Sequence, residues 1–230
     1  MAKSKKVSRK QLLKEPDEFL TFSSKLLNYG VEHKKLIIAV FSGVLLALII
    51  FSAVQYMGYR AENRASGLLS DAWGRYEAVL EEKTPAEAYR AVKADFDDLL
   101  ASYGGAEAGK MGRVIYANIA YEAGKPDQAV TLYNAALTAF DGDPDLKNLI
   151  LSGLGYAHEQ RKAYEESVAH FERIVAGKSP VLKSEAYFNL GRIYELLDQP
   201  EKSRKAYETL LSDYTDSIYA DLVKERLAAG

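Results

Sequence analysis

The segment AYFNLGRIYELLDQPEKSRKAYETLL, residues 186–211, has the most informative helical pattern of the chain. Each half of it carries apolar and aromatic residues three or four positions apart, which is the spacing of one face of an α-helix. Gln199-Pro200 stands between the halves, and proline is accepted in the first turn of a helix but not in its interior. The stretch therefore predicts two helices joined by a short turn.

One aromatic pattern of this stretch recurs along the chain. It consists of an aromatic residue, two adjacent apolar residues and a second aromatic residue, all on one helix face. Its copies are Phe96-Leu99-Leu100-Tyr103, Tyr133-Ala136-Leu137-Phe140, Phe171-Ile174-Val175-Lys178 and Tyr207-Leu210-Leu211-Tyr214, the third with lysine in the last place. Successive copies are offset by 37, 38 and 36 residues. No segment reads as a β-strand, so the periodicity predicts an all-α domain of repeated helix pairs.

The breaks between the helical patterns set the boundaries of the pairs. Gly, Pro and Asp clusters interrupt the chain every 15–20 residues. They are Thr84-Pro85, Gly104-Gly105, Gly124-Lys125-Pro126, Asp141-Gly142-Asp143-Pro144, Gly177-Lys178-Ser179-Pro180 and Gln199-Pro200. The expected pairs cover residues 61–103, 109–140, 146–176 and 183–214, with a capping helix over 218–229.

The spacing within the last pair resembles a tetratricopeptide repeat. The matching residues are Tyr187, Leu190, Gly191 and Tyr194 on the first helix, and Ser203 and Tyr207 on the second. Earlier copies supply Leu151, Leu154, Gly155, Ser167 and Phe171, with His158 where the family prefers tyrosine, and Ala117, Gly124, Ala129, Tyr133 and Ala136. The first copy is degenerate and the terminal proline of each repeat is absent or displaced, so three or four true repeats fit.

The resemblance implies a solenoid, because no single pair can bury its apolar face alone. Small residues would let the two helices of a pair approach closely, and these are Gly191, Gly155 and Ala117. Large rings would fill the space between neighbouring pairs, and these are Tyr187, Tyr207, Phe171 and Tyr133.

An uncharged apolar run, LIIAVFSGVLLALIIFSAVQYM, extends from Leu36 to Met57. About 20 helical residues cross a hydrocarbon layer of roughly 30 Å, so the run predicts a single transmembrane helix. We expect Arg60–Leu80 to continue from it as one long helix. A buried core helix rarely lacks charge over such a length. A cleavable signal peptide is the better rival, but its apolar core is shorter, and Phe51 stands where a small residue is wanted.

The flanking charges predict the orientation of this helix. Residues 1–35 hold nine Lys or Arg and four Asp or Glu, a net charge of +5, and Lys34 and Lys35 abut the apolar run. Few basic residues follow closely on the far side, and the positive-inside rule therefore places the N-terminus in the cytoplasm. The expected location is the inner (cytoplasmic) membrane, crossed once, with residues 60–230 in the periplasm.

The tail before the run also contains an amphipathic pattern. Residues 1–11 are polar and basic, and we expect them to be disordered. Pro16 fits the first turn of a helix, and the apolar residues of 19–29 fall on one face of it. Gly30 is expected to end this helix. It would lie on the cytoplasmic leaflet or dock on a partner.

The composition argues against several functions. The chain has no cysteine, which excludes disulfides and thiol chemistry. Residues 36–230 hold 21 basic and 28 acidic residues, a net of −7, which disfavours nucleic acid as a partner. Gly153-x-Gly155 lies inside a helical pattern and indicates packing rather than a dinucleotide site. Ordinary surface or packing positions explain His158 and His170. The sequence contains no phosphate-binding loop and no nucleophile elbow, so we expect no enzyme activity, cofactor, metal or small-molecule substrate.

The first helices of the pairs should line the concave groove of the solenoid. When the repeats are aligned with one another, the residues expected to face the groove are Asn118, Tyr121, Tyr156, Glu159, Arg192 and Glu195. Tyrosine and arginine are common anchors of protein interfaces, so these side chains are candidates to hold an extended peptide or a helix. Simple exposure at the surface is the alternative interpretation.

The layout of the chain resembles the periplasmic tetratricopeptide-like family of the ancillary Sec translocon subunit. A basic tail is followed by one membrane helix and then by repeats on the far (trans) side of the membrane. The resemblance implies a scaffold or chaperone-like role, with translocon subunits, periplasmic chaperones or exported polypeptides as partners. The stretch Tyr214 to Ala220 is also similar to repeats of envelope proteins, which implies an envelope assembly or cell-division scaffold acting with outer-membrane or cell-wall machinery. A membrane-tethered enzyme is a third hypothesis, for which no acid–base constellation is visible.

Overall fold

The computed structural model describes residues 18–229, with side chains over residues 22–228. This part of the chain is helical and contains no strand. Its ten helices are α1 (Glu18–Glu32), α2 (Lys34–Leu80), α3 (Pro85–Tyr103), α4 (Glu107–Glu122), α5 (Pro126–Ala139), α6 (Pro144–Gln160), α7 (Tyr164–Ala176), α8 (Lys183–Leu196), α9 (Pro200–Asp213) and α10 (Ala220–Ala229). The prediction of an all-α chain is confirmed. The chain divides into two compact units, residues 1–57 and 58–230.

The first unit contains α1 and the apolar part of α2. Helix α1 passes through Gly30 and ends at Glu32, so the prediction that Gly30 ends it is wrong. A glycine inside a helix costs only about 1 kcal/mol, and Gly30 has the ordinary backbone of a helical residue rather than a left-handed one. The predicted disordered segment 1–11 and the helix start at Pro16 lie outside the described residues.

Helix α2 is the one helix of the described residues that is long and apolar enough to cross a membrane, by length and composition. None of its most apolar window is buried inside the protein. That exposure does not fit the alternative of a core helix. Residues 60–80 belong to the same unbroken helix, as the sequence pattern predicted.

The second unit consists of helix pairs that follow one another along the chain. Helices α4 and α5, α6 and α7, and α8 and α9 pack as pairs, and each pair packs on the next. The later part of α2 lies against α3, where Arg75 contacts Asp95 at 3.1 Å. Helix α10 covers α9 at the C-terminal end. This arrangement is the predicted helix-pair solenoid.

Local sequence explains where several helices begin. The Thr84 hydroxyl accepts a bond from the backbone N–H of Glu87, and the Glu87 carboxylate accepts one from the backbone N–H of Thr84. This reciprocal pair satisfies backbone donors that the first turn of α3 leaves unpaired. The Asp143 carboxylate does the same for α6, accepting from Asp145 and Leu146 at 3.0 Å.

The turn inside each pair has one recurring conformation. Gly124, Lys162 and Asp198 have φ angles of 68°, 61° and 55°. Each follows the first helix of its pair, at offsets of 38 and 36 residues along the chain. In the α6–α7 turn the Ala163 N–H reaches back to the His158 carbonyl at 2.9 Å, which is the Schellman closure of a helix end.

A small residue faces an aromatic ring within two of the pairs. A Cβ atom added at Gly191 would overlap the ring of Tyr207, and one added at Gly155 would overlap the ring of Phe171. The predicted close approach within a pair is therefore observed. The Tyr133 ring lies against Gly153 of the next pair, as expected for a ring between neighbouring pairs. The Tyr207 and Phe171 rings instead occupy the hollow that the opposite glycine leaves within their own pair, and Tyr207 also packs on Ala220 and Val223 of the capping helix.

Candidate protein-binding groove

The first helix of each pair presents two positions, three residues apart, on one face. The first position holds Asn118, Tyr156 and Arg192, and the second holds Tyr121, Glu159 and Glu195. Residues three apart on a helix are neighbours on its surface. All six side chains predicted from the sequence are exposed or half-buried, as a binding surface requires.

Side chains at these positions connect each first helix to the next. The rings of Tyr121 on α4 and Tyr156 on α6 lie 6.5 Å apart between centroids. The Arg192 guanidinium of α8 donates two hydrogen bonds to the Glu159 carboxylate of α6, at 2.5 and 2.6 Å. A fork of this kind holds both groups in a fixed geometry. Glu159 and Arg192 therefore brace neighbouring repeats.

Glu195 lies apart from the other candidates. Its carboxylate accepts a bond from Arg226 of α10 at 2.6 Å. Both residues line a separate hollow of about 300 Å³ between α8, α9 and α10. Arg226 of the capping helix therefore already pairs with the charge of Glu195.

Three of the candidates come together in one cavity of about 290 Å³. Asn118, Tyr121 and Tyr156 line it, together with Glu122, Tyr133, Ser152 and Glu185. The Tyr156 hydroxyl donates to Glu185 at 3.0 Å, and Ser152 donates to the same carboxylate oxygen at 2.9 Å. The Asn189 amide donates to the Tyr156 hydroxyl at 2.8 Å. This smaller cavity is therefore built of aromatic walls and a fixed hydrogen-bond network.

A larger and mainly apolar cavity of about 560 Å³ adjoins the smaller one. Asn118 and Glu122 line both cavities. The apolar walls are Leu69, Trp73 and Tyr76 of α2 and Ile115 and Ile119 of α4. Trp73 keeps 39% of its surface exposed, and its ring packs on Tyr76 with centroids 5.5 Å apart. The two cavities together form the groove.

Sequence reasoning missed Trp73, Glu122 and Glu185 in this groove. A signal for Trp73 exists, because Leu69, Trp73 and Tyr76 recur at helical spacing directly behind the apolar run. The first repeat is degenerate, so the repeat pattern did not show that Trp73 faces the groove. Glu185 gives no such signal, since it lies at the start of α8 and reaches the cavity only through tertiary packing.

The electrostatic setting of the tyrosines keeps their hydroxyls protonated. Burial raises the pKa of Tyr156 far above its ordinary value, and the Glu185 charge raises it further. Burial raises the pKa of Tyr133 in the same way, with smaller contributions from Tyr121 and Glu122. At neutral pH both hydroxyls are therefore hydrogen-bond donors, that of Tyr156 to the Glu185 carboxylate and that of Tyr133 to the Asn118 amide oxygen.

The histidine pair of the sequence forms no metal centre in the part of the chain that the structure describes. His158 and His170 stack with centroids 5.1 Å apart. No group of three or more His, Asp or Glu residues there is placed to hold a metal ion. Burial lowers the pKa of both rings, that of His170 to about 4. The neutral rings pack α6 against α7.

Comparison with known families agrees with this geometry. Models of the tetratricopeptide repeat match residues 86–144, 116–181 and 185–217. These ranges cover nearly all of α3 to α9, where the glycine–ring contacts and the recurring turns are found. No curated protein matches the chain. Repeats of this family are protein-interaction modules. The chain is therefore a tetratricopeptide-repeat-like protein.

Proposed function

We propose that the chain is a membrane-anchored interaction scaffold whose groove binds a segment of another protein. The observation that carries the proposal is the pair of adjoining cavities on the first helices, which expose aromatic and apolar walls. Concave faces of helical solenoids are extended binding surfaces. Neither matching family model is that of an enzyme, and the proposed role is non-catalytic, without a cofactor.

The anchor in this proposal is the apolar part of α2, residues 36–57. Its length, composition and exposure support a membrane crossing, and the basic tail before it supports a cytoplasmic N-terminus. Protease added to the trans side of intact inner-membrane preparations should degrade the repeats and spare the tail. Degradation from the cytoplasmic side would contradict the proposed topology.

The finer proposal is a scaffold or chaperone-like role ancillary to the Sec translocon. It is supported by the resemblance in layout and by a groove whose open Trp73 suits polypeptide rather than a small polar ligand. The envelope-assembly alternative drew on the stretch Tyr214 to Ala220. In the structure Tyr219 stacks on Phe188 with centroids 4.5 Å apart, so this stretch has a packing role in the C-terminal cap.

Site-specific photo-crosslinking in intact membranes tests the partner. A photoreactive residue at Asn118, which lines both cavities, should capture translocon subunits or exported polypeptides. The same residue at Glu208, exposed on α9, is the control and should capture neither. Specific capture of cell-wall or outer-membrane machinery would favour the alternative. A detected turnover without any specific partner would contradict both.

A further inference from the structure

Two carboxylates of the smaller cavity have no cationic partner among the described residues. Glu122 accepts a hydrogen bond from the Tyr76 hydroxyl at 2.6 Å. Glu185 accepts from Ser152 and Tyr156, at 2.9 and 3.0 Å. All of these donors are neutral. The two negative charges are therefore oriented by hydrogen bonds and are not neutralised.

The two carboxylates among the six predicted positions carry their own cations. Glu159 is paired with Arg192, and Glu195 is paired with Arg226. These two acids are neutralised inside the solenoid. The uncompensated negative charge of the face is therefore concentrated at the smaller cavity.

The walls of the smaller cavity suit a cationic side chain. Tyr121, Tyr133 and Tyr156 line it. A lysine or arginine head group within about 6 Å of an aromatic ring is attracted by the electrons of the ring face. At about 290 Å³ the cavity is smaller than most small-molecule sites. Its size therefore fits one long side chain.

The neighbouring larger cavity suits a different side chain. It is apolar, it is open at Trp73, and it shares Asn118 and Glu122 with the smaller cavity. A bound segment that fills both cavities must therefore carry an apolar side chain close to its cation. The net charge of −7 over residues 36–230 also favours the approach of a basic segment.

We propose that the groove binds polypeptide segments in which a lysine or arginine lies beside a bulky apolar residue. The cation enters the smaller cavity between Glu122 and Glu185, and the apolar side chain enters the larger cavity against Trp73. This inference rests on the proposed function and specifies the chemistry of the partner. It excludes acidic segments as ligands of this groove.

Peptide selection on the full-length protein in detergent micelles tests the inference. Short random peptides selected for binding should be enriched in lysine or arginine next to leucine, phenylalanine or tryptophan. A selected peptide and its Lys→Gln or Arg→Gln counterpart are then titrated by isothermal calorimetry. The basic peptide should bind at least about tenfold more tightly than the counterpart, and this difference should shrink at high salt.

A double variant tests the two carboxylates. Glu122→Gln with Glu185→Gln keeps acceptors for the neighbouring hydroxyls and removes both charges. It should bind the basic peptide about tenfold more weakly and the neutral counterpart unchanged. The matched control is Glu165→Gln with Glu208→Gln, which removes two exposed charges from the second helices α7 and α9. The control should keep the wild-type preference.

The outcomes separate this inference from the proposed function. Selected peptides without a basic preference would overturn the inference and leave a peptide-binding groove. An unchanged preference in the double variant would have the same meaning. The comparison of the two peptides on the unaltered protein decides the matter even where the double variant is unstable. Failure to select any peptide would overturn the proposed function as well.

Discussion

At the scale of a single residue, Gly191 is a point of close contact between the two helices of a pair. The Tyr207 ring occupies the space that a Cβ atom would need there. We expect Gly191→Ala to lower the free energy of unfolding by about 1–3 kcal/mol, because an extra carbon in a packed core forces neighbours to shift. Gly74→Ala on α2 is the matched control. It meets open space and should raise the stability by about 0.5–1 kcal/mol in chemical denaturation.

A second prediction at this scale concerns His170. Burial, His158 and Arg173 together lower its pKa from 6.5 to about 4, although Glu166 opposes them. The unfolded chain therefore binds a proton that the folded chain does not, so stability falls as the pH falls from about 6.5 to about 4. We expect a loss of about 1–2 kcal/mol, since water screens the half-exposed ring. Denaturation at several pH values should show a shallower slope in His170→Gln, and an equal slope would contradict the prediction.

At the scale of the element, the turn inside each pair holds one residue in the left-handed backbone conformation. The free energy that this conformation costs depends on which residue each copy has there. The left-handed backbone costs a residue with a side chain roughly 1–2 kcal/mol, and glycine pays almost none of it. Lys162 bears this cost where the preceding repeat has Gly124. We expect Lys162→Gly to raise the stability by about 0.5–1 kcal/mol and Gly124→Ala to lower it by about 1 kcal/mol. If thermal melts showed the same change in stability for both variants, the explanation from left-handed backbone strain would be wrong.

The elements also show how far the sequence predicts this molecule. Helix pairs, the Gly191 contact and the long helix behind the apolar run follow from periodicity, because periodicity reports which face of a helix is buried. The direction in which Tyr207 points does not follow, since it depends on which neighbouring helix offers a hollow. The groove was predicted in part. Asn118, Tyr121 and Tyr156 meet there as predicted. Glu185 reaches the groove because α8 packs against α6, and these two helices are not consecutive in the chain.

At the scale of the whole molecule, the second unit, residues 58–230, has a long main core and a separate C-terminal cluster of buried residues. The main core runs from Ala65 to Ala206 through successive pairs. The C-terminal cluster consists of Tyr207, Leu210, Ala220 and Val223. In a solenoid each repeat contacts only its neighbours, so stability is lost locally before it is lost globally. The terminal helix α10 should therefore open before the pairs behind it.

Val223→Ala tests this order of opening. Val223 is fully buried against α9, and losing two methyl groups should cost about 1–3 kcal/mol. We expect hydrogen exchange to accelerate in α10 and the end of α9 and to remain unchanged in α4. Val114→Ala makes the same chemical change in the main core, where Val114 is also buried, and should accelerate exchange in α4. Uniform acceleration in both variants would mean that the repeats open as one cooperative unit, and the terminal helix would then be an integral part of the core rather than a cap.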